Sequence, residues 1–247
     1  MELWHLPLLI GGGILCGIIN ALAGGGSFVT LPLLLFLGLP PQIANATNRV
    51  AIALQCAAGT ATYHRHKVLL WRHLPALAVP MVLGSLLGSY LAASVDESVF
   101  RKAAAVLFLF MIATVFVDAK KWAKEKGVGK ISPKYYPVYF LMGIYGGFIQ
   151  AGLGTLLISM FVVVGGYDVV RGNALKFALA FLFTLAALIM FAGMGQVQWL
   201  TGLSLAIGTM TGGIIGARLV IAKGTRWVRW VVVASALAAI VKLLTSG

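Results

Sequence analysis

Uncharged apolar stretches follow one another along almost the whole chain, separated only by short polar breaks, and this succession constrains the fold more than any single motif. A soluble chain of 247 residues would bury one core under a polar skin, whereas here only 10% of residues are charged and 60% are hydrophobic. Ordinary soluble domains carry about a quarter charged residues. The solvent this composition suits is lipid, and the expected class is an all-α polytopic membrane protein filling residues 1–247 as one transport domain.

The formal net charge of +13 raises nucleic acid as a partner, and the placement of the basic residues removes it. They gather in short loops beside apolar segments: Arg65, Lys67 and Arg72; Lys120, Lys121, Lys124, Lys126, Lys130 and Lys134; Arg218, Lys223, Arg226 and Arg229. That is the pattern of cytoplasmic loops, and the expected surroundings are membrane lipid. Cys16 and Cys56 lie inside apolar stretches, where cysteine behaves as a small hydrophobe and no disulfide spacing is present. The first apolar segment lacks a basic n-region and reads as mature structure.

Sliding the sequence against itself by 128 positions brings informative residues into register. Gly24, Gly26 and Ser27 meet Gly152, Gly154 and Thr155; Asn45 meets Asn173; Trp71 meets Trp199; Gly84 and Gly88 meet Gly212 and Gly216. The reading is a duplication: repeat 1 over 6–117, a basic cytoplasmic linker over 118–136, and repeat 2 over 137–246. Each half opens with a pair of shorter segments (6–23 and 28–38; 137–151 and 155–166). Three longer ones follow (43–63, 74–93 and 98–117; 173–192, 200–217 and 229–246), each near the ~20 residues a spanning helix needs. The second short segment of each pair covers about half of a ~30 Å hydrocarbon core, so each pair is expected to be a re-entrant or short-helix hairpin around a glycine turn. Two crossing helices are the other reading.

The basic loop at 64–73 corresponds to 192–201, which has no Lys or Arg, while the weakly charged loop around Asp96 and Glu97 corresponds to the basic 222–229. Equivalent loops therefore face opposite sides, which makes the repeats inverted and puts both termini outward. Inverted repeats with discontinuous helices place a transporter's site at the midplane between them.

The turn Gly24, Gly25, Gly26, Ser27 precedes a half-helix, and a helix start offers free N–H groups and a positive dipole end, with Ser27 as a candidate N-cap. The second turn, Gly152, Leu153, Gly154, Thr155, repeats two of the three glycines and a hydroxyl. Close helix packing is the competing use of such small residues. Arg49 and Lys176 are the basic residues placed well inside spanning segments, about one turn past Asn45 and Asn173. Glu2, Asp96, Glu97, Asp118, Glu125 and Asp168 are the whole acidic inventory, and each falls in a terminus or loop. With no intramembrane carboxylate to answer them, a bound anion completes the charge balance; snorkelling to the interface is the rival reading. Asn45, Asn48 and Asn173 are expected to shape the pocket. Asn20, Gln55 and Gln150 can donate amide hydrogen bonds to oxyanion oxygens, with interhelical hydrogen bonding as their leading use and Gln150, next to a turn, the strongest candidate for the pocket. His64, His66 and His73 share one basic loop and are read as a solvated face. No metal, cofactor or nucleotide loop is expected, and no nucleophile, base and orienting acid lie together, so an enzyme is not the reading.

The stretch NALAGGGSFVTLPLLLFLGLPPQIANATNRVA, with GSLLGSYLA, GFIQAGLGTLLIS and GGIIGARL further on, resembles the TauE/SafE family of sulfite exporters and related sulfonate permeases over nearly the full chain. The resemblance implies a carrier in the bacterial inner membrane that moves sulfite or a small organosulfur anion such as a sulfonate or sulfoacetate, commonly outward. A passive anion channel and a carrier of another small carboxylate or oxyanion are the alternatives. Leu153, where the first turn has glycine, makes the two half-sites unequal.

Overall fold

The computed structural model describes residues 5–104, 106 and 132–245, without the side chains of Ala23 and of residues 223–245. The expected helix at 98–117 and the linker at 118–136 therefore lie largely outside the described residues. Within them the elements are helices: α1 (His5–Ala23), α2 (Ser27–Phe36), α3 (Pro41–Arg65), α4 (Leu74–Ser94), α5 (Tyr136–Phe148), α6 (Leu153–Ser159), α7 (Val169–Gly193) and α8 (Trp199–Thr245). A 3-10 turn leads into α4 and another into α5, and α6 ends in a π-turn, Met160–Val164. Residues 97–104 are also helical.

Four stretches are long and apolar enough to cross a membrane: His5–Leu22, Trp71–Ser94, Val169–Gly193 and Trp199–Ala222. Their outer faces carry Leu15, Val79, Leu83, Ile189 and Ile207, all exposed, as a lipid-facing surface requires. The chain is a multi-pass membrane protein. Helix α3 is long enough to join them and is the exception in composition, because Asn45, Asn48, Arg49 and Gln55 all lie on it, buried. Packed between α7 and α8, it meets protein where the others meet lipid, so polar side chains survive there.

The short helices double back. Leu34, near the end of α2, shares a cluster with Leu9 near the start of α1, and the rings of Tyr139 on α5 and Phe161 beyond α6 stack at 6.2 Å. At ~1.5 Å per residue, the 10 residues of α2 cover about 15 Å, half of a ~30 Å core. The hairpins thus meet their turns in the interior of the bundle.

Tight packing then crosses between distant parts of the chain. A Cβ at Gly13 or Gly17 would meet the carbonyls of Leu205 and Thr209, and one at Gly208 or Gly212 those of Ile10 and Ile14, so α1 and α8 touch backbone to backbone. Helices α4 and α5 do the same through Gly84, Gly88, Gly143 and Gly147. This is small-residue packing in which van der Waals contact replaces the missing hydrophobic drive.

One boundary differs from expectation. The loop expected at 222–229 is helical, and α8 runs unbroken for 47 residues, about 70 Å. The sequence between 218 and 229 holds no proline, and its one glycine, Gly224, costs a helix only about 1 kcal/mol relative to alanine. Charge marked a change of environment there and not a break in the backbone.

Candidate functional site

The two glycine turns touch. Gly24 and Gly152, 128 positions apart, both take left-handed backbone, φ 80° and 72°, a conformation glycine adopts without steric cost. A Cβ at Gly154 would lie 2.6 Å from Gly24 Cα, and one at Gly24 would strike the Gly154–Thr155 backbone. Substitution at either glycine forces the turns apart. Gly26, not Ser27, occupies the N-cap of α2, and no side chain caps it. Ser27 is the first helical residue, which corrects the expected cap. The reason lies in the turn itself: Gly24 N–H donates to Asn20 O at 2.9 Å and Phe28 N–H to Gly25 O at 3.1 Å, while no backbone acceptor among the described residues takes the N–H of Gly25, Gly26 or Ser27.

The turns differ in how the first helix reaches them. Ala23 runs directly into Gly24, whereas Ile149, Gln150 and Ala151 separate Phe148 from Gly152. Gln150 adopts φ 61°, an uncommon region for a side-chain-bearing residue that costs of the order of 1 kcal/mol or more. Its side chain accepts from Arg49 Nη1 and donates to Thr184 Oγ1 at 2.8 Å. The Tyr145 hydroxyl donates to the Ala151 carbonyl and supports the same segment.

Arg49 and Lys176 each close off the C-terminal end of a helix from the other half of the chain. Arg49, 1% exposed, donates to Gly146 O at 2.6 Å, Gly147 O at 2.9 Å and Asn45 Oδ1 at 3.3 Å, besides Gln150. Asn45 Nδ2 donates to Phe148 O at 2.9 Å. Carbonyls that the end of α5 leaves without helical partners are thus satisfied. At the end of α1, Asn173 Nδ2 donates to Ala21 O at 2.6 Å and Lys176 Nζ to Asn20 O at 2.7 Å. That is the one hydrogen bond Lys176 makes among the described residues, leaving two of its three N–H donors without a protein acceptor. Its ammonium lies 4.5 Å from the centre of the Phe177 ring, a cation–π contact.

Between the turns lies a cavity of about 20 Å³ lined by Asn20, Gly24, Ser27, Gln150, Gly154 and Lys176 on one side of its chemistry and by Ile52, Cys56, Leu153, Leu157, Ala180 and Phe183 on the other. It has room for about one water molecule, so a larger ligand requires the turns to separate. Of the residues expected to hold substrate, Gly24, Ser27, Gln150, Gly154 and Lys176 line it. Gly25, Gly26, Gly152 and Thr155 shape the turns beside it, and Asn45, Arg49 and Asn173 stand behind it as helix-end partners. Asn48 is buried away from the lining with Oδ1 unpaired. Asn20 and the apolar wall were missed. Ala180 and Phe183 lie four and seven residues beyond Lys176, on the same helical face, and following that face from the lysine would have found them.

Among the described residues the acids stay at the edges. Asp168 caps α7, accepting from Arg171 N–H at 2.9 Å, and Glu97 pairs with Arg101 on the surface. Nearby, the Tyr167 hydroxyl meets His73 Nδ1 at 2.6 Å, joining the segment after α6 to the turn before α4. Burial raises the Tyr167 phenol above its ordinary value, against an opposing pull from Arg72.

Touching half-helix turns around a buried, cation-bearing cavity inside apolar helices define a small-molecule transporter of the membrane. The family model for the sulfite exporter TauE/SafE matches residues 9–243, and the chain belongs to that family. It is similar to a probable membrane transporter protein of Haemophilus influenzae, 28% identical with 92% of this chain and 90% of the relative covered. It is likewise similar to the probable membrane transporter protein YfcA of Escherichia coli K12, 27% identical over 92% and 86%. The corresponding figures for the probable membrane transporter protein YunE of Bacillus subtilis are 22%, 84% and 85%. No solved structure matches the chain.

Proposed function

We propose that the protein carries sulfite or a small organosulfur anion out of the bacterial cytoplasm across the inner membrane, by alternating access around the cavity between the two turns. The observation that carries this reading is Lys176: a buried ammonium with unused donors lining a central cavity, with no carboxylate beside it among the described residues. An anion supplies the missing charge. Ser27 Oγ and the free N–H groups of Gly25, Gly26 and Ser27 add neutral donors to its oxygens.

The architecture behind the reading is a pair of inverted repeats, 6–117 and 137–246, with the linker 118–136 on the cytoplasmic side and the N-terminus outward; the unbroken α8 removes the return crossing that an outward C-terminus needs. Reciprocal packing of α1 on α8 and of α5 on α4 supports it, since each half lends its long helix to the other's hairpin. The enclosed cavity suits a carrier, whose site opens to one side at a time, better than a channel.

The test is uptake of labelled sulfite into proteoliposomes, with Ser27→Ala, Lys176→Met and wild type compared. Flux in wild type and its loss in folded Lys176→Met is the expected result; no flux of sulfite or sulfonates under an imposed proton gradient or membrane potential overturns the reading.

A further inference from the structure

The cavity offers an anion one positive side chain. Arg49, the other cation buried in the helices, spends its donors on Gly146, Gly147, Gln150 and Asn45 and is absent from the lining. Every other polar group there is neutral: Ser27, Asn20, Gln150 and the glycine backbone. The start of α2 adds at most about half a charge. The rest of the lining is Ile52, Cys56, Leu153, Leu157, Ala180 and Phe183, whose side chains offer a fourth oxygen nothing stronger than the weak Cys56 thiol donor.

Resting on the anion-carrier reading, we propose that the cavity selects by charge number and shape: it takes a singly charged oxyanion whose remaining substituent is hydrogen or a small apolar group. Once the turns separate to admit it, the oxygens meet Lys176 and Ser27 and the substituent meets apolar lining such as Phe183 and Leu157. A monoanion leaves the site neutral once bound. A dianion of the same shape brings a second negative charge that no side chain answers, in surroundings where an unpaired charge is expensive. Bisulfite and short alkanesulfonates fit the rule. Sulfate and doubly ionised sulfoacetate do not, and a sulfonate bearing an ammonium would press that charge against the apolar wall or against Lys176.

Methanesulfonate and sulfate have nearly the same shape and differ by one charge, which makes them the probes. In proteoliposomes holding the wild-type chain, at a pH low enough that most of the labelled sulfite is bisulfite, each is tested as a competitor of its entry. Methanesulfonate is expected to compete at least about tenfold better than sulfate. Equal competition, better competition by sulfate, or no competition by methanesulfonate overturns the inference while sulfite flux still upholds the carrier. Absence of sulfite flux overturns the carrier reading itself. Ala180→Lys sharpens the result by placing a second ammonium on the cavity wall one helical turn from Lys176, and it is expected to raise competition by sulfate relative to methanesulfonate. If that variant does not fold, the wild-type comparison decides alone.

Discussion

At the end of α5, Arg49 meets two backbone carbonyls and two side-chain amides; at the end of α1, Lys176 meets one carbonyl and faces a cavity. The two cations sit in corresponding helices, one position out of register under the 128-residue shift, and each reaches a helix end of the other half, but only Lys176 lines the cavity. Guanidinium geometry suits the first task, since its planar fork can serve several acceptors at once. An ammonium with three rotatable donors suits the second, holding a helix end with one and leaving the others for a ligand. Two buried charges with the same sequence signature therefore differ in their surroundings: one is used up in the framework and one lines the cavity proposed to take the substrate.

The comparison breaks first at Arg49. Arg49→Met strands the Gly146 and Gly147 carbonyls together with the amide oxygens of Asn45 and Gln150, and each buried acceptor left unsatisfied costs about 1–3 kcal/mol. The thermal midpoint in detergent is expected to fall further than in any other variant considered. Lys176→Met removes a charge with one partner, and its midpoint is expected to stay within about 1 kcal/mol of wild type while sulfite flux disappears. A larger melting loss for Lys176→Met than for Arg49→Met reverses the assignment.

Next in size is Gly154→Ala, whose Cβ meets the Gly24 backbone. Overpacking of this kind costs about 1–3 kcal/mol, and both midpoint and flux are expected to drop because the turns no longer close. Thr184→Val deprives the Gln150 amide of its acceptor. Its expected cost is about 1 kcal/mol in melting, with a partial loss of flux through Gln150 and none through Lys176. The smallest effect is reserved for Asp168→Ala, which removes the α7 cap far from the cavity. A loss of about 1 kcal/mol with unchanged sulfite affinity is the outcome that keeps edge and centre distinct.

Much of this arrangement is legible in the sequence for a physical reason. Charge is so costly in hydrocarbon that Arg49 and Lys176 stand out without any structure, and glycine runs before short apolar segments mark backbone that bends inside the membrane. The direction of a side chain is harder to read. Nothing in the order of residues says that Arg49 is used up by carbonyls from residues 146 and 147, because those acceptors are backbone atoms and leave no mark on residue type. Asn20 and the apolar wall were overlooked for a related reason: Ile52, Ala180 and Phe183 look like any lipid-facing residues until the touching turns enclose them. The continuity of α8 was missed because a basic cluster was read as a loop, although charged residues are good helix formers.

The cross-bracing of helix ends also sets an order of assembly. The carbonyls of Asn20 and Ala21 belong to α1, while their partners Lys176 and Asn173 lie more than 150 residues further along the chain and are synthesised later. Until those residues have been made and inserted, the Ala21 carbonyl lacks its Asn173 donor and the Asn20 carbonyl keeps only the Gly24 N–H. The first half is thus an open intermediate completed by the second, and the two halves, expressed as separate chains, should mature only in each other's company.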